Sequence, residues 1–160
     1  MVQWPARIRR PREHYQQRHL RFHLTIAAHP EIPKWPNGVG DQIWSGAMQQ
    51  RAAGRVELFA ACLMPDHLHL LLRPDGQDII QFLNAWKSWT TKLARDAGHR
   101  SPLWQPGMWD RTLRDEADFA RTVQYIVDNP AVAKLVERRE EWPWVWAWYD
   151  DGVAGADAEA

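Results

Sequence analysis

The chain has 160 residues, 45% of them apolar, 25% charged and 11% aromatic, a balance that fits one globular domain with a sizeable core and excludes a disordered or collagenous chain. Its 20 basic and 20 acidic residues cancel, but unevenly: the first 136 residues hold 18 basic and 13 acidic groups, net +5, and the remainder is acidic. No apolar run approaches the roughly 18 residues of a membrane span, no hydrophobic stretch follows the basic start, and the single Cys62 rules out an internal disulfide or a cysteine zinc cluster. A cytoplasmic protein with no membrane partner is expected.

Residues 1–18 carry Arg7, Arg9, Arg10 and Arg12 in a proline-flanked stretch, which reads as a flexible basic arm suited to a polyanion. From His19 to Ala27, Leu20, Phe22, Leu24 and Ile26 alternate with His19, Arg21, His23 and Thr25; this predicts a half-buried strand with one polar face. After the loop HPEIPKWPNGVG, Asp41 is placed to cap a helix to about Ala53, closed by Gly54. Arg55 to Leu63 predicts a strand, Met64-Pro65-Asp66 a tight turn and His67 to Arg73 the returning strand. Asp78 opens a helix to about Ala97, with Ile79, Leu83, Trp86, Thr90 and Leu93 at helical spacing and Lys87 and Lys92 opposite. Trp109 to Arg114 predicts a short fourth strand, and Asp115 caps a helix from Glu116 to Asp128 that Asn129-Pro130 should end. The order is compatible with an α+β, ferredoxin-like antiparallel sheet with helices on one face and an additional helix behind it. A single domain over 1–149 and a disordered acidic tail over 150–160 are expected.

His67 and His69 fall on one face of their strand, about 7 Å apart along the backbone, with Leu68, Leu70 and Leu72 on the other. They can converge on a metal, or be ordinary histidines of a polar face; two do not complete a ligand shell. On the last predicted helix Phe119, Ala120, Val123, Ile126 and Val127 make the apolar side, and Asp118, Arg121, Thr122, Tyr125 and Asn129 line the other. Two readings of Tyr125 stand. Either it is displayed for chemistry, with Asn129 one turn on offering its amide oxygen to the same metal, or its ring packs at a helix boundary that Asn129 caps. Asp128 competes with Asn129 as a ligand but lies about 100° round the helix. The eleven tryptophans suit a core, or platforms for unpaired bases, and Cys62 in LFAACLM reads as a small buried hydrophobe.

The string LMPDHLHLLLRP resembles the Met-Pro-Asn-His-x-His-hydrophobic segment of the HUH single-tyrosine transposases. LWQPGMWDRTLRDEADFARTVQYIVDNPAVAKLV resembles their tyrosine-bearing segment, often Tyr-Ile-x-x-Asn-Pro, and Lys87 in NAWKSWTTKL and the EEWPWVW stretch fit as well. The likeness covers roughly residues 19–146 and is closest to the REP-associated tyrosine transposases of the insertion-sequence 200-like class. It implies a ferredoxin-like fold, His67 and His69 as ligands of Mg²⁺ or Mn²⁺, Asn129 as third ligand, and Tyr125 as the nucleophile that cleaves single-stranded DNA near hairpin-forming repeats. The product would be a 5′-phosphotyrosine and a free 3′-hydroxyl; Arg7, Arg9, Arg10, Arg12, Lys87 and Arg121 are the expected DNA contacts, and a monomer acting on the nucleoid is expected.

The chain departs from the pattern at Asp66, where the family often has Asn, at Val127-Asp128 between the tyrosine and Asn-Pro, and at Val145-Trp146 in place of a common Ser-Ser. The first strand also lacks the usual glycine-led approach. None touches a ligand or the nucleophile, so they bear on which DNA sequence is preferred. Rival readings are a non-catalytic ferredoxin-like nucleic-acid-binding module and a metal-dependent phosphoesterase in which water attacks. A covalent protein–DNA adduct separates all three.

Overall fold

In the computed structural model, which describes residues 10–151, the chain runs β1 (Phe22–Ala27), α1 (Val39–Ala52), β2 (Val56–Met64), β3 (His67–Pro74), α2 (Ile79–Asp96), β4 (Trp109–Thr112), α3 (Glu116–Val132) and β5 (Val145–Ala147). The strands form one antiparallel sheet in the order β4-β1-β3-β2-β5. Strands β1 to β4 give the expected ferredoxin-like order. The edge strand β5, in the WPWVWAW stretch, is too short for periodicity to reveal.

Alternation along the strands builds two unlike layers. Phe22, Leu24 and Ile26 of β1 and Leu68, Leu70 and Leu72 of β3 join Val39 and Ile43 of α1 and Ile79, Phe82, Leu83 and Trp86 of α2 in one core. The opposite parity, with Ala60, Cys62, Met64 and Leu71, packs under Val123, Ile126 and Val127 of α3. Cys62 is fully buried there and its thiol is pushed up to about 12 by that burial, so it behaves as the small hydrophobe expected. A bulge at Phe59, between the pairs Leu58↔Leu72 and Ala60↔Leu71, adds one residue to β2. That extra ring meets Phe119 of α3 edge-on at 5.3 Å. Trp35, Trp86 and Trp104 pack as tilted rings inside the first core, which makes them structural.

Helix boundaries differ from expectation for identifiable reasons. Gly38, at φ 80°, precedes α1; its left-handed backbone starts the helix ahead of Asp41, whose carboxylate instead accepts from Trp144 Nε1 at 2.8 Å. Helix α3 continues through Pro130 to Val132. The proline is buried, and packing outweighs its lost hydrogen bond; the end is closed by Ala133 N–H to Asn129 O at 2.9 Å and Leu135 N–H to Pro130 O at 2.9 Å. Asp115 and Asp78 cap α3 and α2 as predicted, accepting from Asp118 N–H and Gln81 N–H. Strand β4 stops at Thr112 because the Arg114 N–H turns to Asp118 Oδ2 at 3.0 Å.

The described part of the expected basic arm is docked. Residues Arg12–Gln16 form a 3₁₀ turn with Tyr15 buried, and His14 Nε2 meets Thr112 Oγ1 at 2.7 Å. At the other end Asp150 accepts from Ala147 N–H at 2.7 Å and from Arg139, and Asp151 from Trp146 Nε1 at 3.0 Å and from Arg51. These two residues, assigned to a disordered tail from sequence, belong to the fold because carboxylates there meet donors; residues 152–160 lie outside the described residues. No described helix is long and apolar enough to cross a membrane.

Candidate active site

The β1–β3 register puts Thr25 opposite His69 and Ala27 opposite His67, so the polar parities of the two strands merge into one surface. His67 Nε2 and His69 Nε2 lie 3.1 Å apart. The other nitrogen of each ring is occupied: His67 Nδ1 is 2.7 Å from Asp66 Oδ1, and His69 Nδ1 is 3.0 Å from His23 Nε2 and 3.2 Å from Thr25 Oγ1. A carboxylate accepts, which assigns a proton to His67 Nδ1 and turns Nε2 toward His69. Burial holds His69 well below the ordinary histidine range, with His67 and His23 adding to it. Burial, then the Arg111 charge, brings His23 down to about 4. His69 and His23 are therefore neutral at pH 7, which leaves His69 able to ligate.

Two ring nitrogens 3.1 Å apart need a proton or a cation between them. Neighbouring ligands about 2.1 Å from an octahedral ion stand about 3 Å apart, so the residues present fit a divalent metal. Asp66 and the His23–Thr25 pair supply the outer hydrogen bonds that orient metal-binding histidines. Among the described residues no group of three His, Cys, Asp or Glu side chains is placed to hold a metal. A third ligand is offered by Asn129, whose Nδ2 is 3.5 Å from His69 Nε2; a half-turn of that amide presents Oδ1 instead. Asp128 is engaged elsewhere, accepting from Gln124 Nε2 at 2.7 Å.

Helix α3 supplies Tyr125 because Val123, Ile126 and Val127 point into the core and leave its flank outward. Tyr125 is 55% exposed, and its ring centroid lies 5.6 Å from that of His69 and 5.9 Å from that of His23. Asp118 and Thr122, expected on the open side of this helix, are buried, whereas Ala120 is exposed. Arg111 of β4 covers that flank: Nη1 donates to both Asp118 oxygens at 2.8 and 2.9 Å and Nη2 to Thr122 Oγ1 at 2.6 Å. The Arg111 bond, followed by that from the Arg114 N–H, holds the Asp118 carboxyl well below the usual range.

The other expected DNA contacts are scattered. Arg7 and Arg9 lie outside the described residues; Arg10 and Arg12 pair with Asp110 at 3.6 Å and Asp78 at 3.4 Å. Lys87 donates to Gln105 O at 2.9 Å and to Gly107 O, bracing the 105–107 loop from α2, on the opposite side of the sheet from α3. Arg121 stands one turn before Tyr125 and 3.8 Å from Asp118. Sequence reasoning did not single out His23, Thr25 or Asp66 as parts of the site, nor Arg111. For His23 and Thr25 the signal was the polar parity of the first strand, but nothing in one sequence sets its register against the histidine strand.

A family model described as transposase, IS200-like, matches residues 16–129. The chain belongs to the IS200-like transposase family. The matched span includes His67, His69, Tyr125 and Asn129, the residues through which the sequence resembles this family. Among curated relatives of this chain, a protein of Haemophilus influenzae (strain ATCC 51907 / DSM 11121 / KW20 / Rd), provisionally named a REP-associated tyrosine transposase, is 30% identical over 100 residues, 55% of this chain and 57% of its own. The REP-associated tyrosine transposase of Escherichia coli (strain K12) is 28% identical over 88 residues, 54% of this chain and 52% of its own. The chain spans about half the length of the curated relatives it matches. A structure of a REP-associated tyrosine transposase bound to a REP hairpin shares the fold with a TM-score of 0.70 at 20% identity, over 94% of this chain and 87% of that one. A provisionally assigned transposase from Deinococcus radiodurans gives 0.50 at 23% identity, over 79% and 95%.

Proposed function

We propose that this transposase cleaves and rejoins single-stranded DNA at or near hairpin-forming repeats, through a 5′-phosphotyrosine intermediate on Tyr125. Convergence carries the reading: the Tyr125 ring and the Asn129 amide on α3 meet His67 and His69 of β3, about 60 residues earlier, around one nitrogen-lined point. Family membership and the fold shared with a hairpin-bound transposase support it.

His67 Nε2, His69 Nε2 and the Asn129 amide oxygen would hold Mg²⁺ or Mn²⁺, which when bound offsets phosphate charge and polarises the phosphorus for attack. Tyr125 Oη forms a bond to phosphorus as the bond to the 3′-oxygen breaks. The phenolic proton leaves to solvent, which the exposure of Tyr125 permits, and the departing 3′-oxygen takes a proton from water. Tyr125 then carries the 5′-phosphate of one strand segment, and the other ends in a free 3′-hydroxyl. Attack by a 3′-hydroxyl on that ester reverses the step without ATP. Asp66, His23 and Thr25 hold the two rings, Arg121 lies where the incoming strand passes, and the protein works as a monomer on cytoplasmic DNA.

The test is a 3′-end-labelled hairpin oligonucleotide with single-stranded tails, incubated with protein and Mn²⁺ and run on a denaturing gel. A labelled band at protein mass that disappears in Tyr125→Phe is expected. Cleavage without that band would replace the reading with a phosphoesterase, and binding without cleavage with a nucleic-acid-binding module.

A further inference from the structure

Beside Tyr125, three guanidinium groups converge on one carboxylate. Arg111 Nη1, Arg114 Nε and Arg121 Nη2 lie 2.8, 3.4 and 3.8 Å from the oxygens of Asp118. Joining β4 to α3 needs only Arg111, which already engages both oxygens and Thr122. The neighbouring acids do not balance the other two: Glu116 pairs with Arg21, Asp110 with Arg10, and Asp115 caps the helix. The three arginine side chains stay 48, 76 and 63% exposed while the Asp118 side chain beneath them is 4% exposed. A buried anion thus anchors a cationic surface that faces water.

Position gives this surface its meaning. Asp118, Thr122, Tyr125 and Asn129 follow one another at spacings of four, three and four along α3, with Arg121 four residues before Tyr125, so Arg121 stands about one turn and Asp118 about two turns, roughly 10 Å, from the nucleophile. The register of β1 against β4 pairs Arg111 with His23, whose ring touches His69. Arginine forks match phosphate oxygens, and a fork already fixed on one side loses little freedom on binding.

We infer that Arg111, Arg114 and Arg121 form a phosphate-binding track that grips the DNA backbone next to the phosphate attacked by Tyr125, with Asp118 as the positioning residue that sets the three guanidiniums. The inference rests on the single-stranded DNA reading above. It adds a docking site built around Asp118, distinct from the histidine-lined point.

The variant R114Q/R121Q keeps the Arg111–Asp118 pair and should melt close to the unmodified protein. Binding of a fluorescein-labelled hairpin oligonucleotide with single-stranded tails is measured against salt concentration. Loss of two phosphate contacts makes the slope of log affinity against log salt shallower by about 1.4, at about 0.7 per single-strand contact. Lys92→Gln, on α2 and paired with Asp96, leaves the slope unchanged. Methylphosphonates at the phosphates flanking the mapped cleavage position should weaken binding to the unmodified protein more than to R114Q/R121Q. Equal slopes, or equal methylphosphonate losses, overturn the track. Unmodified protein that shows this slope difference but never forms the Tyr125 adduct would sink the transferase reading and leave the track standing.

Discussion

Strand β3 serves two layers through alternate residues. Toward α1 and α2 it sends Leu68, Leu70 and Leu72 into a core that includes three buried tryptophans; toward α3 it sends His67, His69 and Leu71, beside His23 and Thr25. The apolar layer supplies driving force, about 1.5–3 kcal/mol for each fully buried leucine. The polar layer holds His69 at 3% exposure and Asp118 at 3% exposure, and such groups are tolerable only with partners, since an unsatisfied buried polar group costs about 1–3 kcal/mol. Both have them. One face therefore stabilises and the other reacts, and substitutions should separate the two.

The sharpest separation is at Tyr125, which is 55% exposed: Tyr125→Phe should reduce the covalent adduct to background while melting temperature and oligonucleotide affinity stay near those of the unmodified protein. A lowered melting temperature would show that the reactive layer also stabilises. On the apolar layer Leu70→Ala should cost about 2–5 kcal/mol in urea unfolding, with the rate of adduct formation by the folded fraction little changed. Next in size is the outer support of the metal point. Asp66→Ala should weaken Mn²⁺ binding by about 10–100-fold in calorimetric titration. Asn129→Ala should raise the Mn²⁺ needed for half-maximal cleavage far more than Asp128→Ala, and the reverse order would move the ligand role to Asp128.

The smallest effect lies at low pH. Arg111 keeps the Asp118 carboxyl below its unfolded value, so between the two the folded state binds fewer protons, and stability rises with pH there. That contribution is complete above about pH 4 and is lost as pH falls below it. Urea midpoints of Asp118→Asn should be lower than those of the unmodified protein at pH 6 and approach them by pH 2.5; parallel curves would contradict the linkage.

Much of this was legible because periodicity reports burial. The Leu68/Leu70/Leu72 alternation assigned β3 and its two faces, and the caps Asp78 and Asp115 located α2 and α3. Tyr125 and Asn129 were placed on a common flank by helical spacing alone. What stayed hidden depends on register and on long-range partners. His23 and Thr25 become part of the site only when β1 is set against β3, and Asp118 turns from an open flank to a buried anchor only when Arg111 arrives from β4. Pro130 misled because a local rule for ending helices yields to a buried ring.

The bulge at Phe59 has a consequence for alignment. Deleting that residue would leave Leu58 opposite Leu72 and Ala60 opposite Leu71, so the β2–β3 ladder would close without slipping. The deletion would nonetheless withdraw the aromatic wedge under Phe119, in the first turns of α3. Phe59 thus acts as a shim between β2 and the start of the helix that carries Tyr125.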